Sequence, residues 1–304
     1  MADEVIDRIA AGLPSVVRWA GAIARQLRRH DIAVTGKSSG FADTDALTLA
    51  DLSVQELLVA ALRDMGPTVR ACCIQAEEST GDLGCFATDG PYVIAIDPID
   101  GTQQYRDHTG NAYAVMLHVR TATDLVYSLV YLPEQGPTGT WLEARENGFV
   151  LGPDDPSRPA RAVLDTLPPV RRRADSRLVV LANFFDRVQE RAALVRAAGL
   201  EARPYAGAEG SLFPLLASGE IAGAIYHTPN VYDFPVAMHL ARLLGGEAVW
   251  VHDGRRADFE SVWRDERGAG MLRLPGIVAC AADRSVLETL VTVARDWPRD
   301  RYAQ

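Results

Sequence analysis

A chain of 304 residues exceeds a typical single domain of roughly 100–200 residues, so one large or two packed domains are expected. At 48% apolar and 23% charged it has the makeup of a soluble globular protein able to bury a sizeable core. The formal charge of −9 and a pI near 5.2 argue against broad nucleic-acid or anionic-membrane binding and leave small metabolites as the expected partners.

Apolar positions recur at helical spacing from about Asp3 to His30, with Pro14 expected to interrupt or bend that helix. Thr35 to Asp45, rich in Gly, Ser and Asp, reads as a mobile loop. Ser53 to Leu62 reads as a second helix capped by Ser53. The apolar runs Val69 to Ile74 and Tyr92 to Ile96 read as strands, the second ended by Pro98 and Gly101. Ala112 to Arg120, Leu125 to Leu132 and Thr140 to Arg145 follow as an antiparallel meander. Asp154 to Asp175, rich in Pro, Arg and Asp and carrying Arg171-Arg172-Arg173, is placed at a domain boundary. Beyond it strands at 178–182, 201–205, 221–226, 247–251 and 276–281 alternate with helices at 186–198, 211–217, 233–244 and 284–294. The order predicts an α+β domain over residues 1–160 followed by an α/β domain over residues 161–304.

Cys72, Cys73, Cys85 and Cys280 form no Cys-x-x-Cys pair and no zinc spacing, which points to a reducing, cytoplasmic compartment and to plain packing roles. The start, Met1-Ala2-Asp3-Glu4, is acidic and lacks a signal pattern. No segment approaches the ~20 apolar residues of a membrane span, and the aromatic residues show no basic interleaving of the kind that stacks nucleic-acid bases. His227, His239 and His252 have no partners at metal-ligand spacing and read as structural or surface residues.

The most informative stretch is Ile96-Asp97-Pro98-Ile99-Asp100-Gly101-Thr102, which sets two carboxylates and a glycine-opened turn at the carboxyl end of an apolar strand. Asp97 and Asp100 can converge on one cation or two, while the Gly101 and Thr102 amides can point at an anion that those cations also hold. An EF-hand is excluded by the spacing of the acids. Upstream, Glu77-Glu78-Ser79 places adjacent acids after another apolar run. Downstream, Asp233 precedes an apolar helix, where N-capping with Pro235 in the first turn is the plain alternative to metal binding.

Taken together, Lys37, Thr48-Leu49-Ala50-Asp51, Glu77-Glu78-Ser79, Asp97 to Thr102, and Asp233 ahead of a helix closing on Gly245-Gly246 resemble the inositol monophosphatase family of metal-dependent, lithium-sensitive phosphomonoesterases. Glu146-Asn147-Gly148 resembles the family's hairpin turn, and Gly210-Ser211 leads into a further matching stretch. The resemblance implies a layered αβαβα sandwich and a homodimer. It implies a first Mg²⁺ on Glu77, Asp97 and the Ile99 carbonyl, and a second on Asp97, Asp100 and Asp233. Asp51 matches the acid beside the metals that helps hold a third ion or its waters, Thr102 the hydroxyl beside the attacking water, and Lys37 a lysine on a loop that closes over them. Glu77, Thr102 and Asp51 are thus the catalytic set, and Gly101, Thr102, Gly210, Ser211, Tyr226 and Asp233 the substrate-facing set. Hard oxygen donors with open positions suit two or three Mg²⁺ ions, which activate water and neutralise phosphoryl oxygens in an in-line displacement.

Departures from the family concern the substrate. Tyr226 stands where inositol-specific members carry a glutamate, Leu212 and Phe213 replace small residues, and Tyr232 and Phe234-Pro235 alter the flanks of Asp233. These changes predict a more aromatic pocket and a substrate other than inositol 1-phosphate alone. The alternatives are 3′-phosphoadenosine 5′-phosphate, a sugar, cyclitol or amino-alcohol phosphate, or, in a different class, a non-catalytic protein that binds a phosphorylated metabolite.

Overall fold

The computed structural model describes residues 2–30, 48–171, 176–185, 187–205, 211–267 and 270–302. Lys37, the loop from Thr35 to Asp45, and Gly210 lie outside the described residues. The chain divides into two compact units, one holding Met1–Pro169, Gly207–Ser211 and Glu266–Gly270, the other Val170–Ala206, Leu212–Asp265 and Met271–Gln304.

The first unit is a helical layer on a six-stranded sheet. Its strands run β1 (Cys73–Ala76), β2 (Val93–Asp100), β3 (Ala114–Arg120), β4 (Leu125–Leu132), β5 (Thr140–Arg145) and β6 (Gly148–Pro153), adjacent in that order. Only β1–β2 is parallel; the others form the predicted meander, extended by β6. The helices are α1 (Ala2–Arg28), α2 (Leu49–Asp64), α3 (Pro67–Arg70), α4 (Thr102–Asp107) and α5 (Ala160–Leu164). In α1 the apolar positions Val5, Ile9, Leu13, Val17, Ala20 and Ala24 return every three or four residues, so one stripe is buried against Ile94, Ile96, Leu117, Leu129 and Trp141 of the sheet. Gly21 lies on that contact: a Cβ there would meet the Tyr131 ring at 2.6 Å.

Three expectations change. Pro14 does not interrupt α1. Its missing N–H would orphan the Ala10 carbonyl four residues earlier, and the Arg161 guanidinium donates to that carbonyl at 3.3 Å. The same guanidinium grips the Glu143 carboxylate of β5 at 2.6 and 2.8 Å, joining α1, α5 and the sheet. The second helix starts at Leu49 with Thr48, not Ser53, as its cap. Val69 and Arg70 belong to α3, and β1 begins only at Cys73.

The second unit has helices on both faces of a five-stranded sheet ordered β10-β13-β9-β7-β8. Its strands are β7 (Leu178–Ala182), β8 (Glu201–Pro204), β9 (Gly223–His227), β10 (Glu247–Trp250) and β13 (Ile277–Ala281), and its helices α6 (Val188–Ala197), α7 (Leu212–Ser218), α8 (Phe234–Leu243) and α9 (Arg284–Ala294). Alternate residues Val179, Leu181, Ile225, Ala279 and Ala281 pack against α6 and α9. On the other face the Cys280 thiol donates to the Ala237 carbonyl of α8 at 3.5 Å. A short ribbon of β11 (Trp263–Asp265) and β12 (Met271–Arg273) was not expected. The fold is α+β followed by α/β, with the α-β and α-β-α layers that an αβαβα sandwich requires.

Candidate metal and phosphate site

The site begins where β1 ends alongside the parallel strand β2. Ala76 of β1 pairs with Ile96 of β2, and the Glu77 amide donates to the Ile96 carbonyl at 3.2 Å. The next residues, Glu77 and Asp97, therefore lie side by side, their backbones about 5 Å apart by ordinary strand spacing.

Asp97 and Asp100 are three residues apart, and strand alternation alone would send them to opposite faces. The pairing with β3 prevents this. Asp97 lies opposite Met116 and Asp100 opposite Ala114, with a register shift between them, so three steps on β2 match two on β3. One extra residue restores the parity, and both aspartates share the face of Met116 and Ala114. Pro98 thus sits inside β2 rather than ending it, because a bulge tolerates a residue with no ladder N–H.

Gly101 follows in the left-handed region at φ 84° and ψ 34° as the cap of α4. A Cβ there would meet Gln104 Oε1, the end of a side chain that can shift, so it is the positive φ that calls for glycine. Thr102 opens α4. Its hydroxyl donates to the Ile99 carbonyl at 2.8 Å, with Asp51 Oδ1 at 3.2 Å as a second acceptor.

Asp51 is fully buried. Its Oδ2 accepts from the Thr48 amide at 2.7 Å and the Thr48 hydroxyl at 2.6 Å, forming a capping box. One carboxylate thus starts α2 and orients Thr102. One turn further along the same face, Gln55 is also fully buried. Its Nε2 donates to the Glu78 and Thr80 carbonyls, both at 2.7 Å, and its Oε1 accepts from the Glu78 amide at 2.9 Å. This side chain ties the Glu77 turn to α2. Sequence reasoning missed Gln55, although a lone Gln four residues after Asp51 on an apolar helix face was a usable signal.

Ser211 belongs to the same unit. Its hydroxyl donates to the Asp100 carboxylate and its amide faces the Ala112 carbonyl at 3.4 Å. In the second unit Asp233 caps α8, its carboxylate accepting from the Phe234 amide. Asn230 Oδ1 holds the Tyr232 and Asp233 amides at 2.8 and 3.0 Å. Tyr226 of β9 is buried, its ring edge-on to Phe234 with centroids 4.8 Å apart. Leu212 and Phe213 are buried as well.

Among the described residues, no group of three or more His, Cys, Asp or Glu side chains is disposed to hold a metal ion. The donor types of the first unit are nevertheless those that a divalent cation takes. Glu77 beside Asp97, which is only 3% exposed, with Asp100 on the same face, concentrates like charges that a divalent cation neutralises. Carboxylates and a carbonyl are also the hard donors that Mg²⁺ takes. Covalent thiol chemistry is disfavoured, since burial pushes the Cys72 thiol up to about 11 and the Cys280 thiol to about 12.

The sequence model of the inositol monophosphatase family matches residues 6–269. No curated protein matches the chain in sequence. Similar solved structures include an IMPase of Thermotoga maritima, at 16% identity over 93% of this chain and 95% of that one with a TM-score of 0.64. CysQ of Bacteroides thetaiotaomicron, a bacterial member of the same family, is 17% identical over 90% and 97% with a TM-score of 0.63. SaIMPase-II, the inositol monophosphatase II of Staphylococcus aureus, solved with 2′-AMP bound, is 15% identical over 93% and 90% with a TM-score of 0.58. With its family match running through 264 of 304 positions (6 to 269), the chain belongs to the inositol monophosphatase family.

Proposed function

We propose that this protein is a Mg²⁺-dependent phosphomonoesterase acting on a small phosphorylated metabolite. The observation that carries the reading is the parallel register that sets Glu77 beside Asp97, together with the bulge that turns Asp100 to the same face. Glu77, Asp97 and the Ile99 carbonyl are assigned to a first ion. Asp97, Asp100 and Asp233 are assigned to a second, and Asp51 to the waters of a third, all by family pattern. Bound there, the ions supply water activation and charge neutralisation of the phosphoryl group.

The chain's own groups then divide the work. The Gly101 and Thr102 amides at the start of α4 receive phosphoryl oxygens. The Thr102 proton is engaged by Ile99 and Asp51, so its oxygen presents lone pairs and orients a water that donates to it. Glu77 accepts that water's proton. Ser211 fixes the Asp100 carboxylate, and no nucleophilic Ser or Cys is needed.

For the substrate, Tyr226, packed on Phe234, stands where inositol-specific members carry a carboxylate. An aromatic ring at that position discriminates weakly among hydroxyl stereochemistries. We therefore place inositol 1-phosphate below an ester with a flat, less hydroxylated leaving group. SaIMPase-II structures with 2′-AMP and with inositol monophosphate are in keeping with such breadth in a relative. A cytoplasmic homodimer is part of the same reading. No helix among the described residues is long and apolar enough to cross a membrane.

The test is phosphate release with Mg²⁺ from inositol 1-phosphate, 3′-phosphoadenosine 5′-phosphate and a sugar phosphate. Turnover with the highest kcat/KM on the nucleotide is expected. A clear preference for inositol 1-phosphate overturns the specificity reading, and no turnover on a broad panel, with metabolite binding intact, favours the non-catalytic alternative.

A further inference from the structure

A cavity of about 450 Å³ in the first unit is lined by Arg25, Arg28, Arg29, His108, Asn111 and Glu134, among others. On a chain of formal charge −9 this is a concentration of cations against a single acid. Arg28 is fully engaged. Its Nε donates to the Tyr105 carbonyl at 3.0 Å, Nη2 to the Gln104 and Gly110 carbonyls at 3.1 and 2.6 Å, and Nη1 to Asn111 Oδ1 at 3.1 Å and to the Glu134 carboxylate. The Tyr105 and Tyr113 rings flank the guanidinium at 5.6 and 5.1 Å. Arg28 is therefore wall, and it neutralises Glu134.

Arg25 and Arg29 are different. Neither has a hydrogen bond or an acidic partner among the described residues, and Arg25 is half-buried. Arg25 lies in the last turn of α1 and Arg29 directly follows its end at Arg28, so both stand at the carboxyl end of the helix. Attraction to the carboxyl end of α1 favours cations there, and these two also line one cavity without an acidic partner among the described residues.

We propose that this cavity is a second anion site, taking a phosphate-bearing metabolite with its phosphoryl group between the Arg25 and Arg29 guanidiniums. Planar guanidinium forks match phosphoryl oxygens bidentately, and two lining the same cavity offer a tetrahedral dianion a pair of them. The site shares no residue with Glu77, Asp97, Asp100 or Thr102, and it goes beyond the phosphatase reading.

Calorimetric titration with pyrophosphate in EDTA at low ionic strength tests it on wild type, Asp97→Asn and the double variant Arg25→Gln/Arg29→Gln. One equivalent should bind wild type and Asp97→Asn alike, with affinity about tenfold or more weaker in the double variant, which loses both charge-assisted partners. If the double variant misfolds, Arg29→Gln alone, at an exposed position, must weaken binding. Wild-type affinity in the folded double variant, loss of binding in Asp97→Asn, or absence of binding to wild type overturns the proposal. Citrate binding as tightly as pyrophosphate overturns the phosphate class. None of these outcomes depends on turnover, so the phosphatase reading stands or falls separately.

Discussion

Replacing Gln55 by Leu keeps the side-chain volume on the buried face of α2 and removes the three hydrogen bonds that hold the backbone after Glu77. The Glu78 amide and carbonyl are buried and lose their partner at 2.9 and 2.7 Å, whereas the Thr80 carbonyl is partly exposed and can turn to water. A buried polar group left unsatisfied costs ~1–3 kcal/mol. Two such groups, less the transfer gain of the leucine, give roughly 0–4 kcal/mol with a midpoint near 2. Glu77 precedes the released segment directly, so its carboxylate also loses its fixed position beside Asp97. Urea unfolding should report the stability loss, and a Mg²⁺ titration of turnover should show the half-saturation concentration several-fold higher. A change below about 1 kcal/mol with an unaltered Mg²⁺ curve would refute the idea that Gln55 positions the ligand turn.

Asp154 takes hydrogen bonds from Trp141 Nε1 at 2.8 Å and the Tyr131 hydroxyl at 3.1 Å and pairs with Arg18. Asp154→Ala should therefore cost about 3–5 kcal/mol in urea unfolding, and a loss under 1 kcal/mol would show the cluster to be dispensable. Gly101→Ala, strained at φ 84°, should lower turnover while leaving Asp51 and α2 in place, seen as a loss of kcat at near-native melting temperature. Burial pushes His239 from 6.5 down to about 4. Between those values the unfolded chain binds the extra proton, so stability rises with pH there and is lost as pH falls from 6.5 toward 4, by up to roughly 3 kcal/mol. His239→Gln should flatten that slope, and identical unfolding free-energy profiles at pH 4 to 7 would exclude it. Li⁺ should inhibit turnover at constant ionic strength, and a flat LiCl curve removes the lithium expectation alone.

Local patterns in the sequence carried most of the fold. The meander, the alternating second half and Asp233 as a helix cap were legible because alternation, length and turn residues agree there. The bulge at Asp97 was not, since Pro98 signals a strand end and only the pairing with Met116 and Ala114 shows that the strand continues. Asp51 serves twice, as the capping-box partner of Thr48 and as an acceptor for the Thr102 hydroxyl, and only the fold brings Thr102 to it. Pro14 inside α1 depends on Arg161, a partner 151 residues from Ala10 that no local window contains. The acids themselves were visible as motif residues. What orders them, the β1–β2 register and the Gln55 clamp, is tertiary.

Phosphate release by wild type and Asp97→Asn, measured against Mg²⁺ concentration with melting temperatures taken alongside, tests the metal assignment most directly. Turnover that needs Mg²⁺ in the wild type, vanishes with EDTA, and is abolished in an Asp97→Asn protein of near-native melting temperature is the predicted result. Near-normal turnover in folded Asp97→Asn would contradict it.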